Sequence, residues 1–429
     1  MPTKEAKGPK RGLKHPLIFN TTMLSIGLAL FSLSGSVQQS HRPNPKPKPA
    51  DIFSGNYVVL GYNDLGMHCM NQDFSELCVL PPANTLRATV IRRGLEPQVI
   101  TSGVSVTYSI PGNTDSTRKT NFWQYALPLF GANLPANMGL FGWGLAGTMS
   151  ATTDRDYIAQ GIPLTQMTDA GVSDAYQLSQ IEVRQNGTLI AATEAVVPVS
   201  WEMNCIKCHN PNGTQAQGFV VKPPKPPQVR TVAQVILEAH DRLSGTHLMQ
   251  QRPVLCASCH ADPVLGAAGK PGIPSLSSAM HTFHADKFAG QTALDTCYSC
   301  HPGAQTQCLR DVHKANGLDC NSCHVSMAAV GNPARTPWVD EPRCGSCHNV
   351  PGHEYEQPGV LFRNSVGHNG VKCIACHGSP HAITPSLNER DNRQSVALQG
   401  AAGPIGKFSC LVCHTQKPSD PFNHTRNSD

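Results

Sequence analysis

Fourteen of the chain's 17 cysteines fall into one repeated pattern, two cysteines at i and i+3 followed at once by histidine. The copies are CIKCH (Cys205, Cys208, His209), CASCH (Cys256, Cys259, His260), CYSCH (Cys297, Cys300, His301), CNSCH (Cys320, Cys323, His324), CGSCH (Cys344, Cys347, His348), CIACH (Cys373, Cys376, His377) and CLVCH (Cys410, Cys413, His414). Two thiols at this spacing can add across the two vinyl groups of one haem, and the adjoining imidazole then reaches the iron. A zinc ribbon also uses C-x-x-C pairs, but nothing in that chemistry, or in a disulfide, asks for the histidine. With 19 histidines in 429 residues, coincidence at seven sites is negligible. Seven covalently attached c-type haems, and with them iron, are therefore expected.

Each iron needs a second axial donor. Ten further histidines lie beyond the N-terminal segment. His240 falls on a helical pattern, VRTVAQVILEAHDRL, whose apolar positions Val229, Val232, Ile236 and Leu243 share its face. His281 and His284 are one helical turn apart and can serve two neighbouring haems. His313 lies seven residues before Cys320, His368 five before Cys373, and His381 four after His377. These six are expected as axial ligands. His247, His353 and His424 stand in turns or a polar tail and are expected to be solvated. His68, in GMHCMNQDF, is expected on the first haem, with Met67 and Met70 as rival donors and a structural histidine as the alternative. Cys69 and Cys78 are nine apart and read as a disulfide if the chain is exported. That leaves Cys308, expected as a buried thiol, with an intermolecular partner or a ligand as the alternatives.

The elements that must hold these groups divide in two. Successive motifs begin 51, 41, 23, 24, 29 and 37 residues apart, too little chain to wrap each macrocycle separately. Haems packed on one another must then form the core, joined by short helices and loops. Residues 51–200 read as strands instead. SGVSVTYSI puts Val104, Val106, Tyr108 and Ile110 on one face, LRATVIRR alternates less cleanly, and Asn186-Gly187 in QIEVRQNGTLIAAT is a type I′ hairpin signal. EAVVPVSW reads as a further or edge strand because of Pro198. The fold class expected is multidomain, an all-β sandwich of immunoglobulin-like size followed by a haem-packed cytochrome c region. The aromatic stretch from Phe122 to Trp143 is expected to fold over the sandwich, with a docking surface as the alternative.

The N-terminus carries Lys4, Lys7, Lys10, Arg11 and Lys14 before an apolar run and Ser34-Gly35-Ser36, the pattern of a secretory signal. An uncleaved membrane anchor is the alternative. The expected divisions are 1–36 signal, 37–50 Pro/Lys linker, 51–200 β domain, 201–221 first haem segment, 222–228 Pro-rich linker and 229–429 six-haem domain. Loss of residues 1–36 takes the formal charge from +5 to about +1, and seven haem propionate pairs take it to roughly −6 oxidised and −13 reduced. That balance argues against nucleic acid as a partner.

The seven motifs, and the segment GVLFRNSVGHNGVKCIACHGSPHAITPS, resemble the bacterial multihaem c-type cytochromes, specifically heptahaem ones with an N-terminal β domain. The resemblance covers residues 205–414 and implies respiratory electron transfer across the periplasm or out to the cell surface. It implies redox proteins or an extracellular acceptor as partners. A carrier with no catalytic residues is expected. One alternative is a reductase of a small nitrogen or sulfur oxyanion with one open haem; the other is a protomer of a haem filament.

Overall fold

The computed structural model describes residues 55–209, 231–288, 290–303, 305–351, 355–357, 359–420 and 424. The signal, both Pro-rich linkers, His353 and Val229 lie outside the described residues.

Among the described residues twelve strands follow one another: β1 (Tyr57–Asn63), β2 (His68–Cys69), β3 (Leu77–Cys78), β4 (Asn84–Arg92), β5 (Gln98–Ile100), β6 (Ser105–Ser109), β7 (Ala146–Thr148), β8 (Ser150–Ala151), β9 (Tyr157–Ile162), β10 (Tyr176–Gln185), β11 (Thr188–Ser200) and β12 (Val254–Leu255). One five-stranded sheet runs β1-β4-β9-β8, with β5 also on β4; a second runs β2-β11-β10-β6-β7. Their inner faces share a core that includes Val59, Leu86, Val90 and Ala159 from the first and Val106, Tyr108, Ile181 and Val197 from the second. The hairpin forms where expected. Gln185 pairs with Thr188, and Asn186 (φ 51°) and Gly187 (φ 82°) both take the left-handed conformation that a type I′ turn demands.

EAVVPVSW is not a separate edge. It is the end of β11, an interior strand, and Pro198 is tolerated because β2 pairs only with Val199 and Ser200 on that side. The aromatic stretch begins as α1 (Phe122–Phe130), whose Phe122, Ala126 and Leu129 enter the sandwich core. Phe122 makes edge contacts with Phe74, Trp123 and Phe130 at centroid distances of 5.2, 5.2 and 6.1 Å.

Nine short helices follow: α2 (Ile206–His209), α3 (Val232–Ser244), α4 (Leu276–Ala285), α5 (Ala293–Cys297), α6 (Val312–Ala315), α7 (Cys320–His324), α8 (Met327–Gly331), α9 (Cys373–His377) and α10 (Glu389–Gln399). A capping box of Thr231 and Gln234 starts α3, and Gly245 in the left-handed conformation stops it. Its buried residues are Val235 and Leu237, whereas Leu243 is half exposed. The apolar face expected from the sequence is thus not the buried one, because the face carrying His240 is turned to a motif histidine.

The strands and the motif-bearing segments lie within one compact unit, Pro47–Asp429. A second core joins Val58, Leu60, Tyr62 and Ile91 from the outer face of the first sheet to Ile374, Leu398, Ile405 and Val412. This is why β1 and β4 are buried on both faces and LRATVIRR alternates poorly.

Candidate haem-binding sites

Every motif folds as one tight helical turn. The histidine N–H donates to the first cysteine's carbonyl, at 2.9 Å for His209, 3.0 Å for His260, 2.8 Å for His301 and His348, and 2.9 Å for His414. The remaining two motifs are α7 and α9 themselves. A turn of 3.6 residues brings i and i+3 to one side and sets i+4 beside i, the arrangement that thioether attachment and axial ligation both need.

Each motif histidine faces the ring of one other histidine. The pairs and centroid separations are His209–His284 6.3 Å, His260–His240 6.3 Å, His301–His281 6.0 Å, His348–His313 6.0 Å, His324–His381 6.1 Å, His414–His368 6.1 Å and His377–His424 5.8 Å. Metal–imidazole bonds of about 2 Å on either side of one ion put two rings about 6 Å apart. The residues present therefore fit a metal between two imidazoles at all seven motifs. Burial, then neighbouring histidines, holds the rings of His301, His324 and His377 down at about 4, so they are neutral with a lone pair free.

The other ring nitrogen has a described partner in seven of these fourteen histidines. On α4, His281 and His284 use Nδ1 to reach the carbonyls of Ser277 and Met280, both at 2.7 Å. His260 and His414 reach the carbonyls of Pro274 and Leu95, both at 2.9 Å. His240 reaches the Thr246 hydroxyl at 2.9 Å, which itself donates to Asp241. His313 reaches the Asp311 carboxylate at 3.0 Å, and His381 the Cys308 sulfur at 3.7 Å. Occupied at Nδ1, each ring has Nε2 left for a metal.

Two placements depart from the sequence reading. His68 sits on β2, buried, with Nε2 3.6 Å from the Asp64 carboxylate, and no motif histidine among the described ring contacts faces it. The structure brings His284 to His209 instead. Conversely His424, expected to be solvated, faces His377. Met67 and Met70 are buried, Met70 in the sandwich core. The expected Cys69–Cys78 disulfide is absent, and both thiols are free. The strands explain it: β2 is drawn to β11 and β3 to β12, so the two cysteines serve different pairings. Burial pushes the Cys69 thiol up to about 12.

The β region holds three motifs directly. β3 pairs with β12 just before Cys256, reinforced by Arg252 to Glu76 at 2.6 Å. Past β11, Glu202 accepts the N–H groups of Gln305 and Thr306 at 3.1 and 2.8 Å, and Asn204 donates to the Cys300 carbonyl at 3.3 Å. At the end of β4, Gly94 exchanges hydrogen bonds with Cys413 and Thr415. Gly66 has no room for a Cβ, which would lie 1.8 Å from the Pro380 carbonyl, so glycine there lets the His381 loop approach.

The cysteines also report which motifs adjoin. Burial, then Cys205 and Cys208, pushes the Cys300 thiol up to about 11. Burial and Asp262, with Cys205 nearby, does the same to Cys256. A hydrogen bond to Cys320 raises Cys297. Cys323 is raised by burial and then Cys347; Cys344 by burial, Glu356 and Cys373; Cys376 by burial and Cys413.

Among the described residues no helix is long and apolar enough to cross a membrane. No curated protein and no solved structure matches the chain. Residues 326–378, which contain the Cys344 and Cys373 motifs, match the family model described as cytochrome c554 and c-prime. Over that segment the chain is similar to a c-type cytochrome family, which supports covalently bound haem and electron transfer by it.

Proposed function

We propose that the chain is an electron carrier holding seven c-type haems, each bound by its motif cysteines and by two histidines. The observation that carries this reading is the opposed second ring at every motif histidine, without remainder. The histidines that would hold the iron in pairs are His209/His284, His260/His240, His301/His281, His324/His381, His348/His313, His377/His424 and His414/His368. When bound, haem supplies one-electron exchange between ferric and ferrous iron.

We infer the order of the sites from which motif cysteines act on one another. Adjoining sulfurs run from Cys256 to Cys205, Cys208 to Cys300, Cys297 to Cys320, Cys323 to Cys347, Cys344 to Cys373, and Cys376 to Cys413. The result is a single unbranched line whose ends are the second and seventh motifs in sequence, not the first and seventh. Redox partners would exchange electrons at the Cys256 and Cys410 ends. Export, with redox proteins or an extracellular acceptor as partners, belongs to the same reading, supported by the signal-like N-terminus. Two histidines at each motif leave no axial position for a substrate, which favours a carrier over a reductase.

Intact mass of the purified chain should exceed that of the polypeptide by seven haems, and EPR of the oxidised protein should be entirely low-spin. Fewer haems with zinc in their place, or enzymatic turnover of nitrite or hydroxylamine by the reduced protein, would sink the reading.

A further inference from the structure

The seven opposed pairs differ in what holds their outer ring nitrogens. Four of the seven described contacts go to backbone carbonyls, one to a hydroxyl and one to a sulfur; among these described contacts, only that of His313 goes to a carboxylate, Asp311 Oδ2 at 3.0 Å. Asp311 is 3% exposed. Its other oxygen accepts the backbone N–H groups of His313 and Lys314, both at 3.0 Å, as the N-cap of α6. The neighbouring cation, Arg310, is bound by Asp391 at 2.7 Å. The described hydrogen-bond partners of the Asp311 carboxylate are thus two neutral N–H groups and the imidazole, and its charge also acts, without a hydrogen bond, on His381.

A buried carboxylate accepting Nδ1–H draws the proton towards itself and gives the imidazole anionic character at Nε2. A more basic ligand stabilises ferric over ferrous iron. A fixed negative charge in a low-dielectric setting acts in the same direction. A carbonyl does so more weakly, since it carries no net charge.

We propose that Asp311, acting through His313, makes the His313/His348 site the hardest of the seven to reduce. The inference rests on the proposed axial pairing. It places the lowest potential in the interior of the line, so that an electron crossing it meets a step in the middle and not at an end.

The test is a spectroelectrochemical titration of the haem-loaded full chain with Asp311→Asn, which keeps a capping oxygen for α6 and removes the charge. One of seven reduction steps, the lowest, should move upward by about tenfold in its equilibrium, close to 59 mV for a one-electron couple. The low-spin EPR signal of that haem should shift while staying low-spin. Asp319→Asn removes the same charge from the cap of α7, which touches no ring nitrogen, and should leave the lowest step in place. An unchanged titration for Asp311→Asn, an equal shift of all seven steps, or the same shift with Asp319→Asn would overturn the proposal. His313→Ala separates the two readings. One haem turned high-spin supports the pairing, and none means that the pairing itself has failed.

Discussion

Arg310 and Asp391 form the buried ion pair on which the junction of the two regions turns, and its removal is a sharp test. Their side chains are 2% and 7% exposed, with Nε to Oδ2 at 2.7 Å and Nη2 to Oδ1 at 3.0 Å. The remaining Nη1 donates to the Gly66 carbonyl at 2.7 Å, and the guanidinium lies 4.8 Å from the Tyr176 ring centre. Asp391→Ala leaves a buried guanidinium without its counter-charge and should cost about 3–5 kcal/mol. Arg310→Met strands the carboxylate and also the Gly66 carbonyl, adding about 1–3 kcal/mol. In the double variant Arg310→Met/Asp391→Leu neither charge remains, so most of the loss should return and only the carbonyl's share, about 1–3 kcal/mol, should persist. The coupling between the two sites is then about 3 kcal/mol or more. Urea unfolding of the haem-loaded chain, followed by far-UV circular dichroism, measures it. Single variants within 1 kcal/mol of the parent, or losses that simply add, would refute the argument.

His424→Ala should convert one of seven haems to a high-spin, cyanide-binding form, and His68→Ala none; EPR of both variants checks the reversal of the sequence expectation. Asp156 is fully buried between Arg87 at 2.9 Å and Lys372 at 3.1 Å. Burial alone would raise its carboxyl, but Arg87, the Thr152 hydroxyl and Lys372 outweigh it and hold it below the ordinary value. Its stabilisation is therefore complete above the unfolded pKa near 3.9 and lost as pH falls through the lower folded value, so Asp156→Asn should flatten the acid limb of a stability–pH profile. Residues 55–200 expressed alone would bare Val58, Leu60, Tyr62 and Ile91, and should self-associate in sedimentation experiments rather than behave as a stable monomer.

The motif cysteines and histidines stand out in the sequence residue by residue, because thioether chemistry demands fixed types at fixed spacing. Helical pairs were legible too: His281 and His284 are one turn apart, and each meets a different motif histidine, as their spacing suggests. Short loops misled where closeness along the chain stood in for closeness in space. His381 follows His377 by four residues, yet its ring faces His324, because the backbone at His381 is left-handed (φ 64°) and turns it away. His68 seemed near the first motif because β11 ends there; β2 does pair with that end, at Val199, but the ring turns to Asp64. The ring for His209 comes from α4, 75 residues away in sequence, and no local signal marks such a partner. Nor does any local signal mark the burial of β1 on both faces, since the covering residues, Ile374 and Ile405, lie some 300 residues on.

The opposed pairs also explain why Pro-rich sequence after the first motif does not set it apart. Taken as chords along the chain, His209–His284 encloses His240–His260 and overlaps His281–His301. Beyond them, His313–His348 overlaps His324–His381, which overlaps both His368–His414 and His377–His424. No chord in either group crosses into the other. The chain thus closes as an interlocked set of three motifs and another of four, and the step between His301 and His313 is bridged by the Cys297–Cys320 contact. Within a set, one site cannot form without drawing in the segments that complete its neighbours. Such mutual closure gives a region poor in aliphatic side chains its cooperativity. The β sheets then serve both sets at once, gripping the second motif through β3, the third through the residues after β11 and the seventh through the end of β4. A chain built this way keeps its motifs in fixed succession although the polypeptide between them is mostly loop.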